Sequence, residues 1–503
     1  MPVGVEVARA VPDRVEEAPA PVRRWLDTAW GWPAVLLFAL GGWGLTRPAL
    51  WADEFATWGA ARLSWAQLVA LAGELDGAIT PYYAFMKVWT GVFGSSELAL
   101  RLPSLVAISA ACALAGRLGV HLHSLRAGVL AGLLFAAVPA VSRYAQEARV
   151  YAFLVLFVVL ATLLLYRAVD GGGRSEMAGP GRSVAPPRLV GYAVAVALVG
   201  LAQFLGLLVL AAHAVLVLRT RDRRLVLRWA VAAGFGVVPA LPLIGLALTQ
   251  HARFGWIPTP TWSGLLTSVD ELFGAAAVAA FVVALALVSR PGGRHGSVLT
   301  GWAVLPFAAL LAVSLVKPVF WYRYLLFSVP AYVLLAGIAL ARLPGRRALA
   351  AVVVVGALGS VAQVQVREPD GHGYGTRDAA AVIAGQARPG DGIVYAVPDA
   401  NVSWIGRDLV AYYVPADGRP RDVFAVRPQR ESGHLLATEC ADLAGCLGDP
   451  PRLWVVRYGT LADPLDGIGA EKERLLRGRY AVGGVHHARN LTVGLLVRRE
   501  PPG

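Results

Sequence analysis

The fold turns on the reading of RLVGYAVAVALVGLAQFLGLLVLAAHAVLVLRTRDRR, residues 188–224. Its apolar part, 189–218, suits either one long helix or two short ones. Arg174, Arg182 and Arg188 precede it, and Arg219, Arg221, Arg223, Arg224 and Arg228 follow it. Short arginine-rich loops stay on the cytoplasmic side of a membrane. Both flanks share that side only if the segment crosses twice, turning near Gln203.

Outward from this segment, apolar runs recur at 31–45, 100–120, 127–141, 150–166, 229–248, 272–288, 298–316, 325–340 and 348–364. With 189–202 and 204–218 they make eleven expected helices. Several are shorter than the ~20 residues that span a hydrocarbon core. Composition agrees: apolar residues are 56% of the 503, charged residues 16%, and mean hydropathy is +0.57. Soluble domains carry roughly 25% charged residues. The expected fold class is therefore an α-helical polytopic membrane protein, with its N-terminus inside and its C-terminus outside. On this topology the cytoplasmic segments hold twenty arginines against eight carboxylates. The net charge of +13 then reports orientation, and no nucleic-acid partner is expected.

The chain divides into a cytoplasmic tail (1–30), a membrane domain (31–365) with a long first outer loop (46–99), and a C-terminal region (366–503). The last has Pro/Gly punctuation and strand-like runs at 392–397, 453–457 and 491–498. It reads as one small extracytoplasmic α/β domain. Cys440 and Cys446 lie in it, six residues apart; in an oxidising compartment they can form a disulfide, the alternative being two buried thiols. Cys112 falls in a helix. Three cysteines exclude a cysteine-based metal cluster.

Charges kept at helix ends on one side of a membrane protein mark function, and here they gather on the outer side. Trp51-Ala52-Asp53-Glu54 directly follows the first apolar run, and 55–75 then alternates aromatic and polar residues, as an amphipathic interfacial helix would. Tyr82-Tyr83, Glu97 and Arg101-Leu102-Pro103-Ser104 come next. The second outer loop, 142–151, holds Arg143, Tyr144, Gln146, Glu147, Arg149 and Tyr151; the third holds Lys317, Tyr322 and Arg323; the fourth runs from Gln250 to Trp256. Any single interfacial Trp or Tyr is ordinarily a belt residue, and a lone Arg snorkels. Together the groups suit glycosyl transfer from a lipid-phosphate sugar. A carboxylate deprotonates the acceptor hydroxyl, basic residues hold the phosphate, and aromatic and amide groups hold the sugar. Asp53, Glu54 and Glu147 carry hard oxygens able to hold Mg²⁺ or Mn²⁺, but no spacing demands a cation and no cofactor is expected to be required.

Asp53-Glu54 after the first helix, Tyr82-Tyr83 with Gly94 and Glu97 leading into Arg101–Ser104, and the Arg143–Tyr151 run resemble the GT-C glycosyltransferases. They are most similar to the bacterial protein-mannosyltransferase-like branch, the family-39 type seen in actinobacteria. The resemblance covers about 31–365. It implies an inverting transferase using a polyprenyl-phosphate sugar, often mannose, with a glycan, glycolipid or protein as acceptor. It also implies Asp53 as general base with Glu54 in support. Arg101, Arg149, Lys317 and Arg323 are the candidate phosphate ligands; Tyr82, Tyr83, Gln146, Glu147, Tyr151 and Tyr322 are the candidate sugar or acceptor ligands. Relatives often carry a His before the Tyr-Tyr pair and another where Gln203 stands; both are missing here. A lipid or sugar transporter and a catalytically inactive glycan-binding relative are the competing readings.

Overall fold

The computed structural model describes residues 28–74, 76–173, 186–250, 257–289, 293–396, 404–431 and 436–500. The tail 1–27 and the cluster 251–256 lie outside the described residues. The described residues up to 365 are mostly helical, and the protein is a multi-pass membrane protein. Among the described residues six helices are long and apolar enough to cross a membrane: Glu97–Leu122, Tyr151–Asp170, Arg223–Thr249, His295–Ser314, Tyr322–Ala341 and Gly345–Gln365. Two bent pairs and three shorter apolar helices occupy the other five expected positions. The deciding segment does break in two. Gln203 is extended (φ −160°, ψ 112°) between the helix Pro186–Ala202 and the turn Phe204–Leu208, which leads into the helix Val209–Leu218. A buried chain ties these helices together: His213 lies 3.0 Å from the Thr162 hydroxyl and 3.0 Å from the Tyr192 hydroxyl, and Trp229 Nε1 donates to Tyr192 at 3.0 Å.

The two bends have local causes. Leu125–Ala137 and Pro139–Ala145 meet at 70°, where Pro139 forces Val138 out of the helical region. Trp262–Phe273 and Ala276–Val288 meet at 85°, and Gly274 between them has φ +79°. The apolar run expected at 272–288 thus begins only at Ala276, because a left-handed glycine ends the preceding helix. The bends pack on each other: a Cβ on Gly274 would lie 2.6 Å from Ala140 N and 2.9 Å from Pro139.

The outer loop folds as the helices Ala52–Ala61, Trp65–Glu74 and Thr80–Phe93. The sequence suggested amphipathic helices lying in the interface over 55–75. Trp65 (54% exposed) and Val69 (70%) fit that picture, but Phe55, Ala56, Thr57 and Trp58 are all buried. Thr57 donates to the Ala148 carbonyl at 3.0 Å, while Phe55 and Trp58 are covered by the C-terminal domain. That domain is a five-stranded sheet of β1 (Gly392–Tyr395), β2 (Arg421–Asp422), β5 (Arg452–Tyr458), β6 (Tyr480–Ala488) and β7 (Leu491–Arg498), with β3 (Ala425–Arg427) and β4 (Thr438–Glu439) as a separate pair. The order is β2-β1-β5-β7-β6; β2, β1 and β5 are parallel, while β7 runs antiparallel to both β5 and β6. Cys440 and Cys446 are bonded to each other, and Cys112 is free and buried in Glu97–Leu122.

Aromatic edges and hydrogen bonds seal the domain to the loop. The Tyr412 ring meets the Trp58 ring at 5.3 Å and the Phe55 ring at 6.1 Å. Trp404 Nε1 donates to the Ala52 carbonyl (3.0 Å), and Thr376 to that of Leu50 (2.6 Å). Arg377 and Tyr413 both bind Glu97 at 2.5 Å.

Candidate active site

Asp53 and Glu54 occupy the first turn of Ala52–Ala61, where the helix dipole favours negative charge. Adjacent positions on a helix point about 100° apart, and the two carboxylates meet different environments. Glu54 faces inward with no exposed surface. Arg101 grips it with two bonds, Nε to Oε1 at 2.8 Å and Nη2 to Oε2 at 2.6 Å. The Ala148 N–H adds a third at 2.9 Å. Burial alone would raise the Glu54 carboxyl, but the Arg101 charge and hydrogen bonds outweigh it and hold the group well below the usual carboxylate range. Arg101 also donates to the carbonyls of Leu45 and Pro48 at 2.8 Å and of Ala49 at 3.3 Å. Sequence reading made Arg101 a phosphate ligand and Glu54 a partner in catalysis. Both are fully buried and bound to each other, so the pair is internal bracing.

Asp53 faces outward, 19% exposed at its side chain. Its Oδ2 accepts from Arg323 Nη1 at 2.7 Å, and Arg149 Nε lies 3.6 Å away. Arg149 Nη1 is also 3.3 Å from the Tyr83 hydroxyl, which donates to Asp76 at 2.8 Å. Asp53, Arg149, Tyr83 and Asp76 thus form one polar chain along the first outer loop. Tyr82 is buried, its ring edge-on to Phe153 at 6.0 Å.

Beside this cluster opens a cavity of about 370 Å³. Trp51, Arg143, Tyr144, Glu147, Tyr322 and Arg323 line it, and the two helix bends contribute Pro139, Ala140 and Gly274. The Trp51 ring lies 5.4 Å from the Arg143 guanidinium and 5.5 Å from that of Arg323, an arrangement that orients both cations. Glu147 pairs with Arg143 at 3.1 Å through Oε2, while Oε1 has no hydrogen-bond partner among the described residues. Burial, opposed by Arg143 and aided by the charges of Asp53 and Glu54, pushes the Glu147 carboxyl up to about 7. Tyr151 sits behind Arg323, its ring 5.9 Å from that cation.

Two other sequence candidates lie away from the cavity surface. Gln146 is buried and donates to the carbonyls of Gly41 and Trp43, both at 2.8 Å, which makes it a tie between segments. Lys317 is exposed beyond the end of Gly293–Ser314 and lines no part of the cavity. Gln250, from the fourth cluster, braces the first outer loop by bonding Ala72 O (2.7 Å) and Gly77 N (3.1 Å). Asp53, Glu54 and Glu147, the candidate oxygen ligands, each face an arginine. Among the described residues no three His, Cys, Asp or Glu side chains gather to hold a metal.

Sequence reading missed Glu271, Glu368, Gly371 and Arg489, which also line the cavity. Glu271 had a signal: Asp270-Glu271 repeats the Asp53-Glu54 pattern beside an apolar run. The other three come from the C-terminal region and carried none. Its His372 is buried 3.7 Å from Glu54 Oε2. Burial and the Arg143 charge keep that ring's pKa well below the ordinary histidine value.

By sequence, the chain matches no protein-family model and no curated protein. Among solved structures it is similar to ArnT from Cupriavidus metallidurans in the apo state, with a TM-score of 0.56 and 14% identity over 95% of this chain and 98% of that one. ArnT bound to undecaprenyl phosphate gives a TM-score of 0.58 and 15% identity, over 94% and 98%. The chain has the GT-C fold. The oligosaccharyltransferase AglB from Archaeoglobus fulgidus, in complex with an inhibitory peptide and a dolichol-phosphate, shares the GT-C fold at a TM-score of 0.51 and 12% identity, over 88% of this chain and 70% of that one. A match to 95% of this chain takes in most of the C-terminal domain. The GT-C likeness therefore extends past the 31–365 stretch that carried it in sequence.

Proposed function

We propose that this chain is an inverting glycosyltransferase that moves a sugar, mannose in our reading, from a polyprenyl-phosphate donor to an acceptor hydroxyl outside the cytoplasmic membrane. One observation carries the reading: Asp53, partly exposed at a helix N-terminus, is shared by Arg323 at 2.7 Å and Arg149 at 3.6 Å. Two guanidiniums against one carboxylate leave a net positive charge, which suits a phosphate diester. Donor phosphate entering there competes for the arginine protons and loosens Asp53. The freed carboxylate takes the acceptor's hydroxyl proton as that oxygen attacks the anomeric carbon from the side opposite the phosphate. The bond from carbon to phosphate oxygen breaks, its electron pair stays on the polyprenyl phosphate, and the sugar's configuration inverts.

In this scheme Arg149 and Arg323 hold the leaving phosphate, and Glu147, Tyr151 and Tyr322 face the sugar. Tyr83 sets Arg149. Glu54, Arg101 and Gln146 brace the backbone that carries the others. Lipid phosphates bound by ArnT and AglB support the choice of donor, and the arginine-rich segments support an inside N-terminus and an outside C-terminal domain. The acceptor is a glycan, glycolipid or protein hydroxyl. The test is Asp53→Asn in a strain lacking the wild-type gene, read by comparative analysis of envelope glycans. Loss of the transferred sugar with normal membrane insertion is expected; wild-type transfer would reject Asp53 as base.

A further inference from the structure

The polar end of the molecule remote from Asp53 has its own unbalanced cluster. Arg117 lies sixteen residues beyond Arg101 on Glu97–Leu122, and Arg167 sixteen beyond Tyr151 on Tyr151–Gly173. At 1.5 Å per residue, both stand about 24 Å from the candidate active site. Arg188, on the packed neighbour Pro186–Ala202, donates Nη1 to the Arg167 carbonyl at 3.3 Å. The charges of Arg117 and Arg188 both act on Arg167. Three cations from three packed helices thus lie near enough to feel one another's charge. The carboxylate one turn away, Asp170, is engaged by His121 at 2.7 Å, and among the described residues none of the three arginines has an ion-pair partner.

Below this cluster the surface turns apolar. Val190 and Val194 are 62% and 55% exposed on Pro186–Ala202. On the adjacent helix Arg223–Val237, Arg224, Leu227, Arg228 and Val231 fall at i, i+3, i+4 and i+7, so they share one face. Leu227 is 67% exposed and Val231 51%. Guanidiniums at one level with open aliphatic surface beneath match a phosphodiester with acyl chains attached. A free phosphate would have no use for the aliphatic part.

We propose that Arg117, Arg167 and Arg188 form a binding site for the headgroup of an anionic phospholipid, whose chains lie along Val190, Val194, Leu227 and Val231. Arginines converging between helix ends are suited to such headgroups, each contributing about 1 kcal/mol near the surface, or roughly fivefold in affinity. The inference is independent of the reaction proposed for Asp53.

The test uses the purified full chain offered an equimolar mixture of phosphatidylglycerol and phosphatidylcholine, with retained lipid counted by native mass spectrometry. The wild type is expected to keep phosphatidylglycerol preferentially, and Arg167→Gln to lower that preference roughly fivefold. Combining Arg117→Gln, Arg167→Gln and Arg188→Gln should abolish it, while Arg346→Gln with Arg347→Gln, on another helix, should leave it intact. Arg167 is exposed, so its single variant keeps the test valid if the triple variant does not fold. Equal retention of both lipids by the wild type, or a preference unchanged in Arg167→Gln, would overturn the proposal.

Discussion

Arg323 places Nη1 2.7 Å from Asp53 Oδ2, across 270 residues of sequence. The contact closes the polar cluster by joining the first outer loop to the third. Charged donors aimed at a developing anion are typically worth 10²–10³ in turnover. Arg323→Gln is therefore expected to lower turnover by about that factor, and Arg323→Lys by less, since it keeps the charge and loses the fork. In vitro sugar transfer from a synthetic polyprenyl-phosphate donor would measure both. Full activity in Arg323→Gln would remove it from the phosphate site.

Glu54 and Arg101 behave differently because both are buried. Removing one partner strands the other charge, at a cost of about 3–5 kcal/mol. Glu54→Gln should unfold markedly earlier on heating than wild type, and adding Arg101→Met should recover part of the loss. The low folded pKa of Glu54 makes its contribution present above the unfolded carboxylate value, about 4.3, and lost only as pH falls through the folded value. Melting temperatures of Glu54→Gln and wild type should therefore differ by a constant amount from pH 5 to 8.

Glu147 has the opposite sign. Its carboxyl is raised to about 7, so between about pH 4.3 and 7 the folded protein holds a proton that the unfolded chain has released. Stability from this group is complete at low pH and declines as pH rises towards 7. Melting scans from pH 5 to 8 should show that decline in wild type, and Glu147→Gln should flatten it. An identical slope in both would place the titration elsewhere.

The seam between the loop and the C-terminal domain is tight at Gly59. Arg430 and Asp408 form a buried two-pronged pair at 2.8 and 2.5 Å, and a Cβ on Gly59 would run into the Arg430 guanidinium. Held by Asp408, that guanidinium has little room to yield. Overpacking costs about 1–3 kcal/mol, so Gly59→Ala should lower the melting temperature and expose the 404–431 segment to protease. Unchanged proteolysis would show that the seam tolerates the methyl group.

The apolar runs and the break at Gln203 were legible in the sequence, because a membrane span is a local property: enough apolar residues in a row, with charges at the ends. Asp53 was legible for a similar reason, being a carboxylate kept just beyond a helix end. The roles of its neighbours were not. Arg101, Arg149 and Arg323 look alike in sequence as outer arginines, yet one is walled in by Glu54 and three carbonyls while the other two reach Asp53. The same holds for Asp53 and Glu54, adjacent in the chain and turned by one helical step into solvent and core. The C-terminal contribution of Glu368, Gly371 and Arg489 was equally silent. By itself, then, the sequence determined the helices and which of the segments between them carry the arginines, since hydropathy and charge count act over one segment at a time. Which charge is walled in and which stands beside the cavity depended on partners 47 to 270 residues away, and only the tertiary structure decided that.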